Sequence, residues 1–458
     1  MKNDIKAPEA AEKNLSKEIG FLKEIFNRIA AAGEPAEGLL NDFRDRYLRL
    51  PPGERVHFFT GILREMEVRK GDIDASLRLL VEGDDRDTLT WGTQLAQLRQ
   101  SLESPRVKAF RQFVNLRGGL KFLLDLRVDV LAAQRQGPEE LRLLDQDIAN
   151  LFNTWFQQGF LFLQQITQES SFRHIRFLKE HDMVHPMSNI EEMGDRLGED
   201  RLCFALFHQA MPGEMVIFIE VALTHGITRS IQDILGPEKA QPARSVQPDT
   251  AIFYSINSTQ NGLTGLGFGK LLIFQVVDLI RKTHPQIETF ATLSPIPGFW
   301  ERYLKRILKG DDAPFAMKKK ALEALFPEKV RTALIKYHAE KTGAPAAADA
   351  SAVLLDILSG TEWIQDARYV QYLEKPLLEL AYHHVAQEKG KRGKPLNPVA
   401  NFHLGNGATV TRAHVNFGAN PSPRGLAESC GLMVNYIYSD TWRHQIRRTV
   451  KSLLPWKT

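Results

Sequence analysis

Between Phe253 and Phe299 the chain reads FYSINSTQNGLTGLGFGKLLIFQVVDLIRKTHPQIETFATLSPIPGF, and this stretch restricts the fold more than any other. An apolar run, Ala251–Ile256, enters a loop with glycines at 262, 265, 267 and 269. Leu271, Leu272, Phe274, Val276, Val277, Leu279 and Ile280 then recur with helical spacing. A second strand-like run ends in Leu293-Ser294-Pro295-Ile296-Pro297-Gly298-Phe299. Strand, glycine loop, helix, strand is an anion-binding layout. Glycine lets the backbone approach an anion, and unpaired N–H groups at the helix start face it.

Before this segment the pattern is helical. Leu15, Ile19, Leu22, Ile25, Phe26 and Ile29 form one apolar stripe. Leu50-Pro51-Pro52-Gly53 interrupts it, Val56–Met66 resumes it, and a further helix is expected from Pro138 to Phe162. No strand alternation is visible from residue 12 to about 165. After about 168, Arg201–Phe207 and Met215–Leu223 read as strands, with Pro212-Gly213 as the turn of a hairpin. Ala251–Ile256 and Glu288–Leu293 extend that sheet. Helical patterning returns from Glu301 to Glu388, with Gly343–Asp349 as a joint, and Lys389–Lys394 reads as a basic loop. Asn401–Gly407 and Gly431–Tyr438 again read as strand-like. The expectation is a multidomain α+β chain. An N-terminal all-α helical bundle (1–167) precedes an α/β domain (168–458) that carries a helical insertion at about 301–388.

The length of 458 residues fits two or three domains. Net charge is +4, from 59 basic against 55 acidic residues, too weak and mixed to argue for nucleic acid or membrane partners. Cys203 and Cys430 make no metal or disulfide framework, so both read as structural and a reducing compartment is expected. No run of 18 uncharged apolar residues suits a membrane span. The first fifteen residues mix charges of both signs, unlike a signal or transit peptide, and Pro-Trp-Lys-Thr at the end is not a peroxisomal address. Cytoplasm is the expected location.

The loop is not a Walker A sequence, because Lys270 is followed by Leu271 rather than Ser or Thr. A dinucleotide-binding reading lacks the acid about 20 residues on and the repeated βαβ units. Thr264-Gly265-Leu266-Gly267-Phe268-Gly269 instead resembles the [QR]-x-x-G-x-[GA] pyrophosphate loop of GNAT acetyltransferases, with threonine in the first position. The plain alternative is a glycine-rich turn without a ligand.

A broader resemblance follows from Phe253-Tyr-Ser-Ile, Gln260-x-Gly-Leu-x-Gly, Leu293–Phe299, Asn401-Phe-His-Leu-x-Asn-Gly-Ala408 and Ser429-Cys-Gly-Leu-Met-x-Asn-Tyr436. Val184-His-Pro186, Pro212-Gly-Glu214, Val221–Thr224 and Tyr47-Leu-x-Leu-Pro51 add to it. Along the chain, over about residues 40 to 440, these motifs stand in the order of the malonyl-CoA decarboxylase family, which the chain resembles. The resemblance implies a helical domain, a GNAT-like catalytic domain and conversion of malonyl-CoA to acetyl-CoA and CO2 without metal or organic cofactor. It also implies a homodimer or homotetramer. It assigns catalysis to Ser294 and His403, and coenzyme A binding to Thr264, Gly265, Leu266, Gly267, Phe268, Gly269 and Lys270. The chain departs from the family at Gly267, where an acid is usual, and at 264 and 270; it also lacks the peroxisomal tripeptide of some eukaryotic members.

Loss of CO2 from a malonyl thioester leaves an enolate, which needs donors near its oxygen and a proton for its carbon. A histidine titrating near neutral pH suits the second task, so His403 is expected to be the proton donor. Ser294 is expected to hold the substrate carboxylate or orient His403, its backbone stiffened by Pro295 and Pro297. Asn401, Asn406, Asn435, Tyr436 and Tyr438 are candidate supporting donors. His185 and His208 are read as structural. A Ser/His pair also admits a thioesterase, although no G-x-S-x-G elbow is present. A GNAT-type acetyltransferase and a non-enzymatic coenzyme A-binding regulatory module are the other readings.

Overall fold

A computed structural model describes residues 6–34, 36–82, 88–135, 137–236, 247–311, 315–343, 349–390 and 393–439. Residues 1–5, most of the joint expected at 343–349, two residues of the expected basic loop and the C-terminal Pro-Trp-Lys-Thr lie outside them. Chain contacts divide the protein into two compact units. One is 1–162 with 206–216 and 258–268; the other is 163–205, 217–257 and 269–458.

The first unit is built on helices α1 (Lys6–Ala31), α2 (Glu37–Arg49), α3 (Arg55–Glu65), α4 (Lys70–Glu82), α5 (Thr88–Ser101), α6 (Pro105–Gln112), α7 (Gly119–Gln134) and α8 (Leu141–Trp155). The stripe Leu22, Ile25, Phe26 and Ile29 is buried, and α1 packs on α2, α3 and α6. Phe26, Phe43, Tyr47, Phe58, Phe110 and Phe113 interlock there, with neighbouring ring centroids 4.9–6.0 Å apart. Each such pair contributes about 0.5–1.5 kcal/mol beyond burial. Helices α4 and α5 bury no described side chain and pack chiefly on each other. Arg127, buried on α7, pairs with Asp145 of α8 at 2.7 Å. It also donates to the carbonyls of Gly262 (2.5 Å) and Thr264 (3.2 Å). One guanidinium thus anchors the start of the glycine loop.

The strands are β1 (Leu161–Ile166), β2 (Arg201–His208), β3 (Met211–Thr224), β4 (Thr250–Ser258), β5 (Thr289–Thr292), β6 (Ser294–Pro295), β7 (Val415–Asn416), β8 (Met433–Val434) and β9 (Ile437–Tyr438). They form a six-stranded sheet in the order β1-β2-β3-β4-β5-β9 and a three-stranded sheet in the order β6-β8-β7. The shorter helices of the second unit are α9 (Phe172–His181), α10 (Ile190–Asp195) and α11 (Gln232–Leu235). Helix α12 (Phe268–Thr283) buries Leu272, Ile273, Val276, Val277 and Ile280 on one face. It stops before Pro285, which pushes the preceding residue out of helical geometry. The crossover returns the chain beside β4, so β4 and β5 are parallel, from Thr250↔Thr289 to Phe253↔Thr292.

After one residue, Leu293, the chain leaves the large sheet and joins the small one. Phe290 pairs with Tyr438 and Ala291 with Ile437, whereas Ser294 pairs with Val434 and Pro295 with Met433. Two short antiparallel segments therefore pass together from one sheet to the other. From Phe299 the chain runs through a π-helical turn (Phe299–Leu304), α13 (Lys305–Lys309), α14 (Lys319–Ala324), α15 (Glu328–Thr342), α16 (Ala350–Ser359), α17 (Ala367–Tyr382) and a second π-turn (His383–Gln387). Helices α18 (Pro398–Gly405) and α19 (Pro423–Ser429) follow. The fold class is mixed α+β.

Three local expectations are corrected. The helix expected over 138–162 stops at Trp155, and 161–166 is strand β1. Short apolar runs do not separate the two states, and pairing with β2 decides this one. The hairpin turns at Gln209–Ala210, where Ala210 N donates to His208 Nδ1 (3.0 Å), while Pro212 and Gly213 lie within β3. The NFHLGNG segment is helical, not strand-like: the Asn397 side chain caps α18 and Pro398 fills its first position.

A Cβ on Gly262 would lie 2.2 Å from the backbone oxygen of Leu124. Gly262→Ala should therefore displace the loop from α7 and lower stability by about 1–3 kcal/mol in a denaturant titration. An unchanged midpoint would show that the loop does not rest on α7.

Candidate active site

Ser294 and His403 meet although 109 residues separate them. Ser294 is held by the β6–β8 register at the point where the chain changes sheets, and only 7% of it is exposed. His403 sits on α18, where it and Ala400, three residues earlier, form the buried face. Ser294 Oγ lies 3.3 Å from His403 Nε2. The other ring nitrogen, Nδ1, is 2.8 Å from the Tyr438 hydroxyl. Tyr436 stacks on the imidazole, with ring centroids 4.8 Å apart and planes 22° from parallel.

Ser294 Oγ donates to Thr292 Oγ1 at 3.0 Å, and Thr292 Oγ1 also accepts the Tyr436 N–H at 3.1 Å. A hydrogen-bonded row thus runs from Tyr438 through His403, Ser294 and Thr292 to the main chain. With Ser294 donating to Thr292, a lone pair of Oγ faces Nε2. A neutral His403 then carries its proton on Nε2 and accepts from Tyr438 at Nδ1. Asn435 supports the row from behind: its Nδ2 donates to the carbonyls of Thr292 (2.6 Å) and Thr228 (3.0 Å). Its Oδ1 accepts from Asn416 Nδ2 at 2.7 Å.

Burial sets the protonation states. Among the described residues His403 has no carboxylate partner, and desolvation pushes it down to about 3. The expectation of a histidine titrating near neutral pH in the free protein is thereby corrected: at pH 7 the imidazole is neutral. Burial raises the phenols of Tyr436 and Tyr438, so both hydroxyls keep their protons.

Of the residues expected at the site, Ser294, His403, Tyr436 and Tyr438 come together, and Asn435 reaches them through Thr292. Asn401 is half-buried two positions before His403, on another side of α18. Asn406 closes α18 with its backbone N–H on the carbonyls of Phe402 and His403, both at 3.1 Å. Thr292 and Asn397 were missed. Thr292 was accessible from spacing alone, since i and i+2 of an extended segment share a face. The roles of Asn397 and Asn416 had no local signal.

In the first unit, Thr264 turns its hydroxyl back onto the Asn261 carbonyl (2.7 Å), and Phe268 packs edge-on against Phe156. Gly265 and Gly267 have φ of +85° and +79°, values that favour glycine, with open space around each. Leu266 is half-buried between them. In the second unit, Gly269 and Lys270 lie in the first turn of α12, whose amides have no partner within the helix. A Cβ on Gly269 would come 2.4 Å from the Phe402 ring, which lies edge-on to His403 at 4.9 Å.

His208 is a satisfied structural residue: Nε2 meets the Trp155 carbonyl at 2.9 Å and Nδ1 accepts from Ala210. His185 is pushed down to about 4 by burial, and its Nε2 has no partner. Cys203 and Cys430 are buried free thiols. Among the described residues no group of three His, Cys, Asp or Glu is arranged to hold a metal, and no helix is long and apolar enough to cross a membrane.

Two family models match: Malonyl-CoA decarboxylase N-terminal domain over residues 68–156 and Malonyl-CoA decarboxylase C-terminal domain over 159–446. The mitochondrial malonyl-CoA decarboxylase of the goose Anser anser anser is 37% identical over 340 residues, covering 73% of this chain and 64% of the relative. That of Rattus norvegicus is 34% identical over 415 residues, covering 88% and 80%. This chain thus spans just under two thirds of the goose protein's length and four fifths of the rat protein's. The crystal structure of malonyl-CoA decarboxylase from Rhodopseudomonas palustris superposes with a TM-score of 0.73 at 29% identity, covering 94% of this chain and 96% of that one. The Agrobacterium vitis structure gives 0.71 at 28%, covering 95% and 100%. With its Ser294 and His403 motifs in mutual contact and both family models matched in order, the chain belongs to the malonyl-CoA decarboxylase family.

Proposed function

We propose that this protein decarboxylates malonyl-CoA to acetyl-CoA and CO2, with Ser294 and His403 at the reacting carbon. The observation that carries this reading is the buried 3.3 Å contact between Ser294 Oγ and His403 Nε2, with aromatic rings packed around the imidazole. The thioester carbonyl is itself the electron sink, so the chemistry calls for no metal or organic cofactor. Breaking the bond to the carboxylate releases CO2 and leaves its electron pair as an enolate on the thioester. One proton then completes the methyl group.

A neutral imidazole can still supply that proton. The substrate carboxylate brings a negative charge into a poorly solvated site, and an adjacent anion raises the proton affinity of a histidine. His403 therefore takes up its second proton in the complex rather than in the free protein. As CO2 leaves, the negative charge moves to the thioester oxygen, where the Ser294 hydroxyl is a donor. The Nε2 proton then passes to the carbon. Tyr438 holds the ring by Nδ1 throughout, and one solvent proton is consumed per turnover.

The β4–loop–α12–β5 arm is read as GNAT-like, with Thr264–Lys270 holding the pyrophosphate of coenzyme A on backbone N–H groups. Residues 1–167 and 168–458, with the insertion at about 301–388, are our division into domains. A homodimer or homotetramer is also proposed; exposed Leu77 and Val81, one turn apart on the same side of α4, support a covered face there. A reducing compartment, cytoplasm by default, is proposed from the two free thiols.

A thioesterase is the second reading, favoured by the same Ser–His contact. The third member of the row is a tyrosine rather than a carboxylate, which speaks against a hydrolytic triad. Malonyl-CoA incubated with the protein should yield acetyl-CoA and CO2 in equal amounts with little free coenzyme A. Free coenzyme A plus malonate would replace this reading with the thioesterase.

His403→Gln should reduce kcat by about a hundred-fold or more while coenzyme A still binds; near-normal turnover would remove His403 from the chemistry. Gly267→Val forces a branched side chain into φ near +79° and should weaken coenzyme A binding more than it lowers kcat at saturation. Equal coenzyme A affinity would take the loop out of the site.

Stability should fall as pH drops below the ordinary histidine value of about 6.5. His403 is held down to about 3, and His185 and His384 to about 4, so between these limits only the unfolded chain binds the protons. Glu220, pushed up to about 8 by burial, acts with the opposite sign as pH rises. His403→Gln should therefore lose less Tm than the wild type between pH 6.5 and pH 4.5 (about two units within the window set by these shifts). Parallel losses would show that His403 is not held neutral.

A further inference from the structure

We propose that Asn397 is a positioning residue that sets the distance between Ser294 and His403 by binding the main chain of both segments that carry them. The inference rests on the functional reading above and adds a residue to it.

Asn397 is almost wholly buried, with 1% exposed, and its side-chain amide bonds to neither Ser294 nor His403. Its two amide ends face different segments. Oδ1 accepts from Val399 N and Ala400 N, both at 3.0 Å, which fixes the N-terminus of α18. His403 lies on that helix, and α18 spans only eight residues, so a shift at its cap is carried to the ring. Nδ2 donates to the Pro297 carbonyl at 3.3 Å. Pro297 is three residues after Ser294, in a segment where Pro295 and Pro297 lack N–H groups and cannot tie themselves down as donors. The same Nδ2 lies 3.4 Å from His384 Nε2 in the second π-turn. His384 is buried against Tyr303, with ring centroids 4.2 Å apart.

The geometry separates two jobs that a substitution can split. The cap needs only an oxygen, which Asp and Ser supply about as well as Asn. The tie to Pro297 needs a donor at the reach of the amide nitrogen: ionised Asp has none, and the Ser hydroxyl stops one bond short of it. If Asn397 were only a cap, Asp would serve equally well or better, because an anion is favoured at a helix N-terminus. If it sets the separation, both variants keep α18 and lose the spacing.

Asn397→Asp and Asn397→Ser are to be compared with the wild type in malonyl-CoA turnover, with folding followed by circular dichroism. The full-length protein, labelled with 15N histidine, supplies the imidazole signal of His403, identified through His403→Gln. The expected result is a fall in kcat of between about ten-fold and about a hundred-fold, with KM nearly unchanged. The His403 Nε2 signal should shift in both variants. Turnover and ring signal like the wild type in either folded variant would overturn the proposal. Loss of folding in both would do so as well, by making Asn397 a general structural residue. If the wild type released no acetyl-CoA, the functional reading would fall, while the imidazole signal would still decide the role of Asn397.

Discussion

The antiparallel pairing of 289–295 with 433–438 is the constraint on which the second unit's site depends. It begins in the large sheet, with Phe290 opposite Tyr438, and ends in the small one, with Ser294 opposite Val434. Between these registers Thr292 N donates to the Tyr436 carbonyl at 3.0 Å, and Tyr436 N returns a bond to Thr292 Oγ1 at 3.1 Å. The amides of Thr292, Leu293 and Tyr436 thus stay paired where the segment changes sheets; a buried amide left unpaired there would cost about 1–3 kcal/mol. Ser294, Tyr436 and Tyr438 all stand on this one device. Only His403 comes from elsewhere, on a helix whose cap is tied back to the Pro297 carbonyl.

Burial without a charged partner is the second determinant. Buried ionisable side chains are commonly paired with an opposite charge. His403 is surrounded instead by Tyr436, Tyr438 and Phe402, so its charged form is disfavoured. A carboxylate beside it would have favoured the charged imidazole. Tyrosine in that position orients the ring without fixing its charge.

Much of the fold could be read along the chain where periodicity was long. The α1 stripe and the α12 face repeat over several turns: Leu22, Ile25, Phe26 and Ile29 are buried while Leu15 and Ile19 are half-buried, and in α12 Leu272, Val276, Val277 and Ile280 are buried while Leu271, Phe274 and Leu279 are half-buried. Short elements were less legible. Leu161–Ile166 and Asn401–Gly405 are brief apolar runs whose state depends on a partner strand in one case and on a cap at Asn397 in the other. The hairpin turn was misplaced for a similar reason: Pro212-Gly213 has the composition of a turn, but the His208 ring closes a tighter one two residues earlier.

The sequence by itself determined the family, through motifs spread over most of the chain, and with it the expectation that Ser294 and His403 form the site. It also determined where glycine was needed, since φ near +80° at 265 and 267 is a property of the local backbone. Only the tertiary structure decided what those side chains touch and in which protonation state they rest. A pKa depends on solvation and on neighbours brought in from 35 and 109 residues away, and no local pattern records either. The placing of Thr292 behind Ser294, of Tyr438 behind His403 and of Asn397 between their two segments is likewise a product of strand pairing and helix docking.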